Sequence, residues 1–349
     1  MNPPWLAAPV LAGLVAVPLA AVLTAVCRRT AVRTGIVDRP GGHKAHAAPT
    51  PYLGGLAVAA ATLAPALLLV ARGPAPAAAL LLAVAAAAVG TLGLIDDLAP
   101  LSVNTRLVVE AGAAGLVALA GHTVPVTGQH WLDVALTVAW IVLLTNSFNL
   151  LDNMDGAAAA TAAVTAVLLG VAATGSGREA LWWCLGGACV GFLWHNRPPA
   201  RIFLGDAGSL FVGFLIATGT VVAAPDRSPG TLAVPLLLAL IAVVDTALVV
   251  VARRRAGRSW RQGGADHTSH RLRLLGLSAA QVAAALAAGA ALCGGLALLV
   301  RAGQLPATAG LGIAALTGTT AVCLLLRVPT PTAPAAQRAL TARTPSRTR

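Results

Sequence analysis

Apolar residues gather along this chain in long blocks separated by short polar segments. Stretches of about 15 to 23 residues, the length at which a helix crosses a hydrocarbon core, lie near 5–27, 53–71, 77–95, 106–121, 131–148, 156–174, 180–195, 209–225, 231–251, 279–300 and 307–327. The pattern predicts an all-α, polytopic membrane protein of about eleven transmembrane helices. Residues 1–327 read as one integral-membrane domain. Residues 328–349, rich in Pro, Thr, Ala and Arg, read as a disordered basic tail on the cytoplasmic side.

Composition agrees with that class: of 349 residues, 57% are apolar and 10% charged, and mean hydropathy is +0.81. The net charge of +12 raises nucleic-acid binding, but the basic residues sit in short segments between apolar blocks and not along one soluble face, which excludes that partner. Their distribution orients the chain instead. With the N-terminus outside, 20 of the 24 Lys and Arg fall on the inner side, leaving only Arg72, Arg178, Arg227 and Arg301 outside. The first block follows an uncharged Met1-Asn-Pro-Pro and precedes Arg28-Arg29, the polarity of an uncleaved first span with the C-terminus cytoplasmic. The five cysteines lie in or at the ends of apolar blocks without metal-ligand spacing, so they read as small hydrophobes.

Nearly all Asp, Asn and His fall in the inner connections. Asp206 stands alone in a glycine-flanked turn, Gly205-Asp-Ala-Gly208, between two apolar blocks, where an ionised carboxylate needs water, a cation or a donor. Asp96 and Asp97 close the third block; the pair fits a hard cation, a cationic partner or one raised pKa, and taken alone also a solvated helix end. Asn146, Asn149, Asp152 and Asp155 recur every three residues, one polar stripe on a helix or helical turn, suited to Mg²⁺ or a nucleotide edge, or else to capping. His267, His270, Arg271 and Arg273 could hold a pyrophosphate; without cysteine, zinc fits them poorly. Lys44 and His46 could reach a phosphate from the first inner loop, and Arg106 could meet a lipid phosphate. Asp245, inside the ninth block, is a functional candidate or snorkels toward Arg253, and Glu110, one turn after Arg106, reads as its partner.

The set Pro49-x-Pro-x-x-Gly54-Gly, Gly93-Leu-Ile-Asp96-Asp97, Asn146-x-Phe-Asn149-x-x-Asp152-x-x-Asp155-Gly, Phe203-x-Gly-Asp206-x-Gly-Ser and His267-x-x-His270-Arg resembles the polyprenyl-phosphate N-acetylhexosamine-1-phosphate transferases in order and spacing. The resemblance implies an eleven-span enzyme with a cytoplasmic active site, a Mg²⁺ cofactor (Mn²⁺ as substitute), a UDP-HexNAc donor and an undecaprenyl- or decaprenyl-phosphate acceptor, with a homodimer as an open arrangement. It implies that Asn149 and Asp206 ligate the metal and that Asp96 and Asp97 position or activate the lipid phosphate. Arg106, Lys44, His267, His270 and Arg271 would grip phosphates, and Asp152, Asn153 and Asp155 would line the donor side. The chain departs from the family pattern at Asn153, where Gly is usual, at Thr268 and Ser269, where many members have a tighter histidine cluster, and at Leu98-Ala99-Pro100, where no third Asp follows the pair. The run of three histidines of the UDP-MurNAc-pentapeptide branch is missing, so UDP-GlcNAc or a related UDP-HexNAc is the expected donor, with the phospho-MurNAc-pentapeptide transferase as the alternative. An ion-coupled transporter would need acids near the bilayer midplane and a repeated half, and neither is visible.

Overall fold

The computed structural model describes residues 4–38, 50–72, 76–224, 232–259 and 264–330. Within them the chain forms α1 (Pro4–Thr34), β1 (Val37–Asp38), β2 (Thr50–Pro51), α2 (Gly54–Val70), α3 (Pro76–Leu98), α4 (Val103–Leu119), α5 (His130–Leu151) and α6 (Ala157–Ala172). It continues with α7 (Glu179–Asn196), α8 (Gly205–Ala223), α9 (Ala233–Arg255), α10 (Thr268–Leu274), α11 (Ala279–Arg301) and α12 (Ala307–Leu326). Each apolar block has become one long helix, because in hydrocarbon only a helix satisfies every backbone polar group within its own segment. The fold is all-α; its β component is one ribbon of two short antiparallel strands.

Among the described residues seven helices, α1, α3, α5, α8, α9, α11 and α12, are long and apolar enough to cross a membrane, which makes the protein a multi-pass membrane protein. The others fall short by those two criteria. α2 and α4 have 17 residues and α6 has 16, and α7 opens on Glu179 and closes on His195-Asn196.

α8 is the central post, with 89% of its apolar window buried. α3, α5, α2 and α6 pack around it. Polar atoms of its surroundings are matched inside the bundle: Trp182 Nε1 donates to Leu215 O (2.8 Å) and Trp140 Nε1 to Thr220 Oγ1 (2.9 Å). The helices alternate in direction, so one end of the bundle collects the C-termini of α1, α3, α5, α7, α9 and α12 and the N-termini of α2, α4, α6 and α8. Contacts close this end: Arg28 Nε donates to Arg201 O, Gly54 N to Phe203 O, Gly156 N to Asn196 Oδ1, and Arg271 Nη1 to Leu325 O. At the other end Arg301 Nη1 reaches Ala223 O (2.9 Å).

Candidate active site

The site grows from the first turn of α8. Gly205 takes φ +73°, which only glycine adopts freely, and a Cβ there would lie 2.7 Å from Asp97 Oδ2 and 2.8 Å from Tyr52 O. The turn delivers the N–H groups of Asp206 (2.9 Å) and Ala207 (3.0 Å) to the two oxygens of the Asp97 carboxylate. A carboxylate at a helix N-terminus satisfies orphan donors and meets the favourable end of the dipole. Asp97 is therefore engaged in holding α8, and Asp206 is what it presents.

Asp206 meets two other helices. Its Oδ1 accepts from Asn149 Nδ2 of α5 (2.7 Å), and its Oδ2 from Arg106 Nη1 of α4 (3.0 Å). The same Nη1 reaches Asp96 Oδ2 (2.5 Å), while Asp96 Oδ1 accepts from Leu101 N (2.5 Å). Asn149 Nδ2 also reaches Ser209 Oγ (2.9 Å), the buried serine that closes the Asp206 motif. Four helices thus bring Asp96, Arg106, Asn149 and Asp206 to one point. Asp206 is the more open of the two acids, its side chain 34% exposed against 9% for Asp96.

Beside this point the α5–α6 connection carries the rest of the polar stripe, whose members have separate partners. Asp155 Oδ2 accepts from Ala200 N (2.9 Å), and Asn153 Nδ2 donates to Leu150 O (2.7 Å). Asn196, absent from the sequence reading, pins the connection by accepting from Gly156 N and donating to Ile202 O (3.0 Å). Asp152 caps α5 at its C-terminal end. Burial, then the negative charges of Asp206, Asp97 and Asp155, push its carboxyl up to about 8. Asn146 turns elsewhere, donating to Glu110 and to Val142 O (2.9 Å). Glu110 is therefore partnered by Asn146, and no ion pair joins it to Arg106 among the described residues, because both oxygens facing the Arg106 tip belong to Asp96 and Asp206.

The loop after α9 folds back as α10, a seven-residue helix that block lengths did not predict. Asp245 binds both the His267 ring, through Nδ1 (2.9 Å), and the Thr268 N–H (2.6 Å). It does not reach Arg253, which pairs with Asp266 (3.3 Å) alongside Arg258 (2.5 Å). Burial would raise the Asp266 carboxyl, but those two guanidiniums hold it below its ordinary range. Ser269 Oγ donates to Asn153 Oδ1, tying α10 to the stripe. His270 stands with its ring 5.7 Å from that of His267; burial, then the His267 charge, pushes it down to about 4, and its Nδ1 is buried without a partner. Arg271 points to the end of α12, donating to Leu325 O (2.9 Å) and Val328 O (2.5 Å). Lys44, the segment 39–49 around it and the tail beyond residue 330 lie outside the described residues.

Oxygen donors predominate at the meeting point: four carboxylates, Asp96, Asp97, Asp152 and Asp206, and the Asn149 amide, against one guanidinium. That surplus of negative charge adds to burial in raising Asp152, and the donor set fits a hard divalent cation with oxygen ligands. Among the described residues no three His, Cys, Asp or Glu stand at ready-made ligand spacing, and Arg106 supplies the positive charge between Asp96 and Asp206.

The family description of glycosyl transferase family 4 matches residues 79–224, the segment from α3 to the end of α8. The chain is similar to the "Putative glycosyltransferase SCO3672" of Streptomyces coelicolor: 42% identity, covering 79% of this chain and 66% of that one. It is similar to the probable undecaprenyl-phosphate N-acetylglucosaminyl 1-phosphate transferase of Bacillus subtilis, with 29% identity over 74% of this chain and 75% of the other. To the decaprenyl-phosphate N-acetylglucosaminephosphotransferase of Mycolicibacterium smegmatis the identity is 32%, over 77% and 76%.

Proposed function

The chain belongs to glycosyl transferase family 4, and on that footing we propose that it transfers a HexNAc-1-phosphate, GlcNAc-1-phosphate foremost, from a UDP-sugar to a polyprenyl phosphate, releasing UMP. The observation that carries the reading is the meeting of Asp96, Asn149 and Asp206, from three helices, around Arg106 at one end of the bundle. The names of the relatives from Bacillus subtilis and Mycolicibacterium smegmatis support the donor. So does the lack of a three-histidine run. Among the described residues the end that carries the site also carries 13 of the 16 Lys and Arg, which supports eleven crossings with this end cytoplasmic.

In the proposed reaction an oxygen of the lipid phosphate forms a bond to the β-phosphorus, and the bond from that phosphorus to the bridging oxygen of UMP breaks. The lipid phosphate is already an anion, so the protein's task is alignment and charge neutralisation rather than base catalysis. Arg106 holds the incoming phosphate, with Asp96 fixing the guanidinium. Asp97 is a positioning residue that sets Asp206 through the first turn of α8. Asp152, Asn153 and Asp155 line the donor side, where His267 and neutral His270 donate to diphosphate oxygens. Asp206 and Asn149 would hold Mg²⁺, which when bound neutralises charge on the diphosphate.

Purified protein given UDP-GlcNAc, polyprenyl phosphate and Mg²⁺ is expected to release UMP, to stop on chelation and to recover on Mg²⁺ addition. Asp206→Asn is expected to lower kcat by at least about 100-fold with folding intact. No UMP from any UDP-HexNAc would overturn the activity, and a near-normal rate in the variant would overturn the metal role.

A further inference from the structure

Among the described residues Arg271 carries a charge with no ion-pair partner of its own. It is 3% exposed, and its contacts are all to carbonyl oxygens: Nε to Asp266 O (3.2 Å), Nη1 to Leu325 O and Val328 O. No carboxylate pairs with it among the described residues, and the adjacent Asp266 is already shared by Arg253 and Arg258. A buried guanidinium without counter-charge is costly. Of the 12 acidic residues only Asp226, between α8 and α9 in sequence, falls outside the described residues. Residues 260–263 and 331–349 contain no Asp or Glu.

Arg271 lines a cavity of about 270 Å³, with Arg255, Arg258, Asp266, Leu326 and Val328 around it. Three guanidiniums thus face one carboxylate. The cavity lies at the C-terminal ends of α9 and α12, and α12 packs on α9 and α11 rather than on the helices that bear Asp96, Asn149 and Asp206. Only 11% of the apolar window of α12 is buried, with Leu316 and Leu324 turned outward at 71% and 54% exposure. A basic cavity at the end of an apolar, outward-facing crossing lies where phospholipid headgroups meet acyl chains.

We propose that this cavity binds the phosphate headgroup of an anionic phospholipid, with Arg255, Arg258 and Arg271 meeting the phosphate and the outer face of α12 meeting the acyl chains. The site is separate from the proposed transferase centre, and it removes Arg271 from the residues that grip substrate.

Protein in nanodiscs of phosphatidylcholine alone, or with roughly a third phosphatidylglycerol, provides the test. Phosphatidylglycerol is expected to raise the thermal midpoint and to co-purify with the protein, as read by mass spectrometry. Arg255→Gln, at an exposed position, is expected to weaken that retention about fivefold, Arg255→Lys to keep most of it, and both to release UMP normally in phosphatidylcholine discs. Equal retention by wild type and Arg255→Gln would overturn the site. Inorganic phosphate in phosphatidylcholine discs separates the two sources of the anion: no shift supports a lipid, and a shift equal to that of phosphatidylglycerol overturns the lipid assignment.

Discussion

Individual side chains in this site are distinguished by what they are already bound to. Asp97 is engaged on two amides, Asp96 on an amide and Arg106, and Asp206 alone joins strong contacts to substantial exposure. Sequence spacing could place these groups on one side of the bundle but could not rank them, because the ranking comes from backbone donors that no motif spells out. The partners of Glu110 and Asp245 were out of reach for the same reason: both are chosen across helices, by Asn146 and His267, and not by the nearest arginine in sequence. His270 has a pH consequence. Its folded pKa of about 4 lies below the ordinary 6.5, so between those values the unfolded state takes up a proton that the folded state refuses, and stability falls as pH drops through that window. The effect is at most of the order of 3 kcal/mol near pH 4. His270→Gln is expected to flatten the loss of amide-exchange protection in α10 from pH 6.5 to 4; an unchanged slope would assign the loss to another group.

Among the elements, α8 sets tolerances for the rest. A Cβ on Gly93 of α3 would lie 2.2 Å from Asp206 O and 2.7 Å from Ala207 N, so Gly93→Ala must move the very turn that presents Asp206. It is expected to cost about 1–3 kcal/mol and to reduce UMP release well beyond its effect on yield. Gly112→Ala on α4, where nothing lies within 4 Å, is expected to be neutral or stabilising by up to about 1 kcal/mol. Equal behaviour of the two variants would show that the close approach is unimportant. The long helices were legible because hydrophobic run length is a direct statement about hydrocarbon thickness. α10 was not: its seven residues are too few for a periodic signal, and what folds them is Asp245 capturing the Thr268 N–H, a contact 23 residues away in sequence.

For the whole molecule, the described basic residues and the site gather at one end, which is the basis for proposing that this end faces the cytoplasm. In a background without the native cysteines, Arg72→Cys is expected to react with an impermeant thiol reagent on intact cells and Arg254→Cys only after permeabilisation. Labelling of both from the same side would refute the arrangement. α12 stands apart in this assembly. Little of its surface is buried, and besides its packing on α9 and α11 the grip of Arg271 on the carbonyls of Leu325 and Val328 serves as a mooring for its C-terminal end. The rim of the protein and α10 are thereby leashed together, and the tether ends two residues from Ser269, whose hydroxyl bonds Asn153 of the α5–α6 connection.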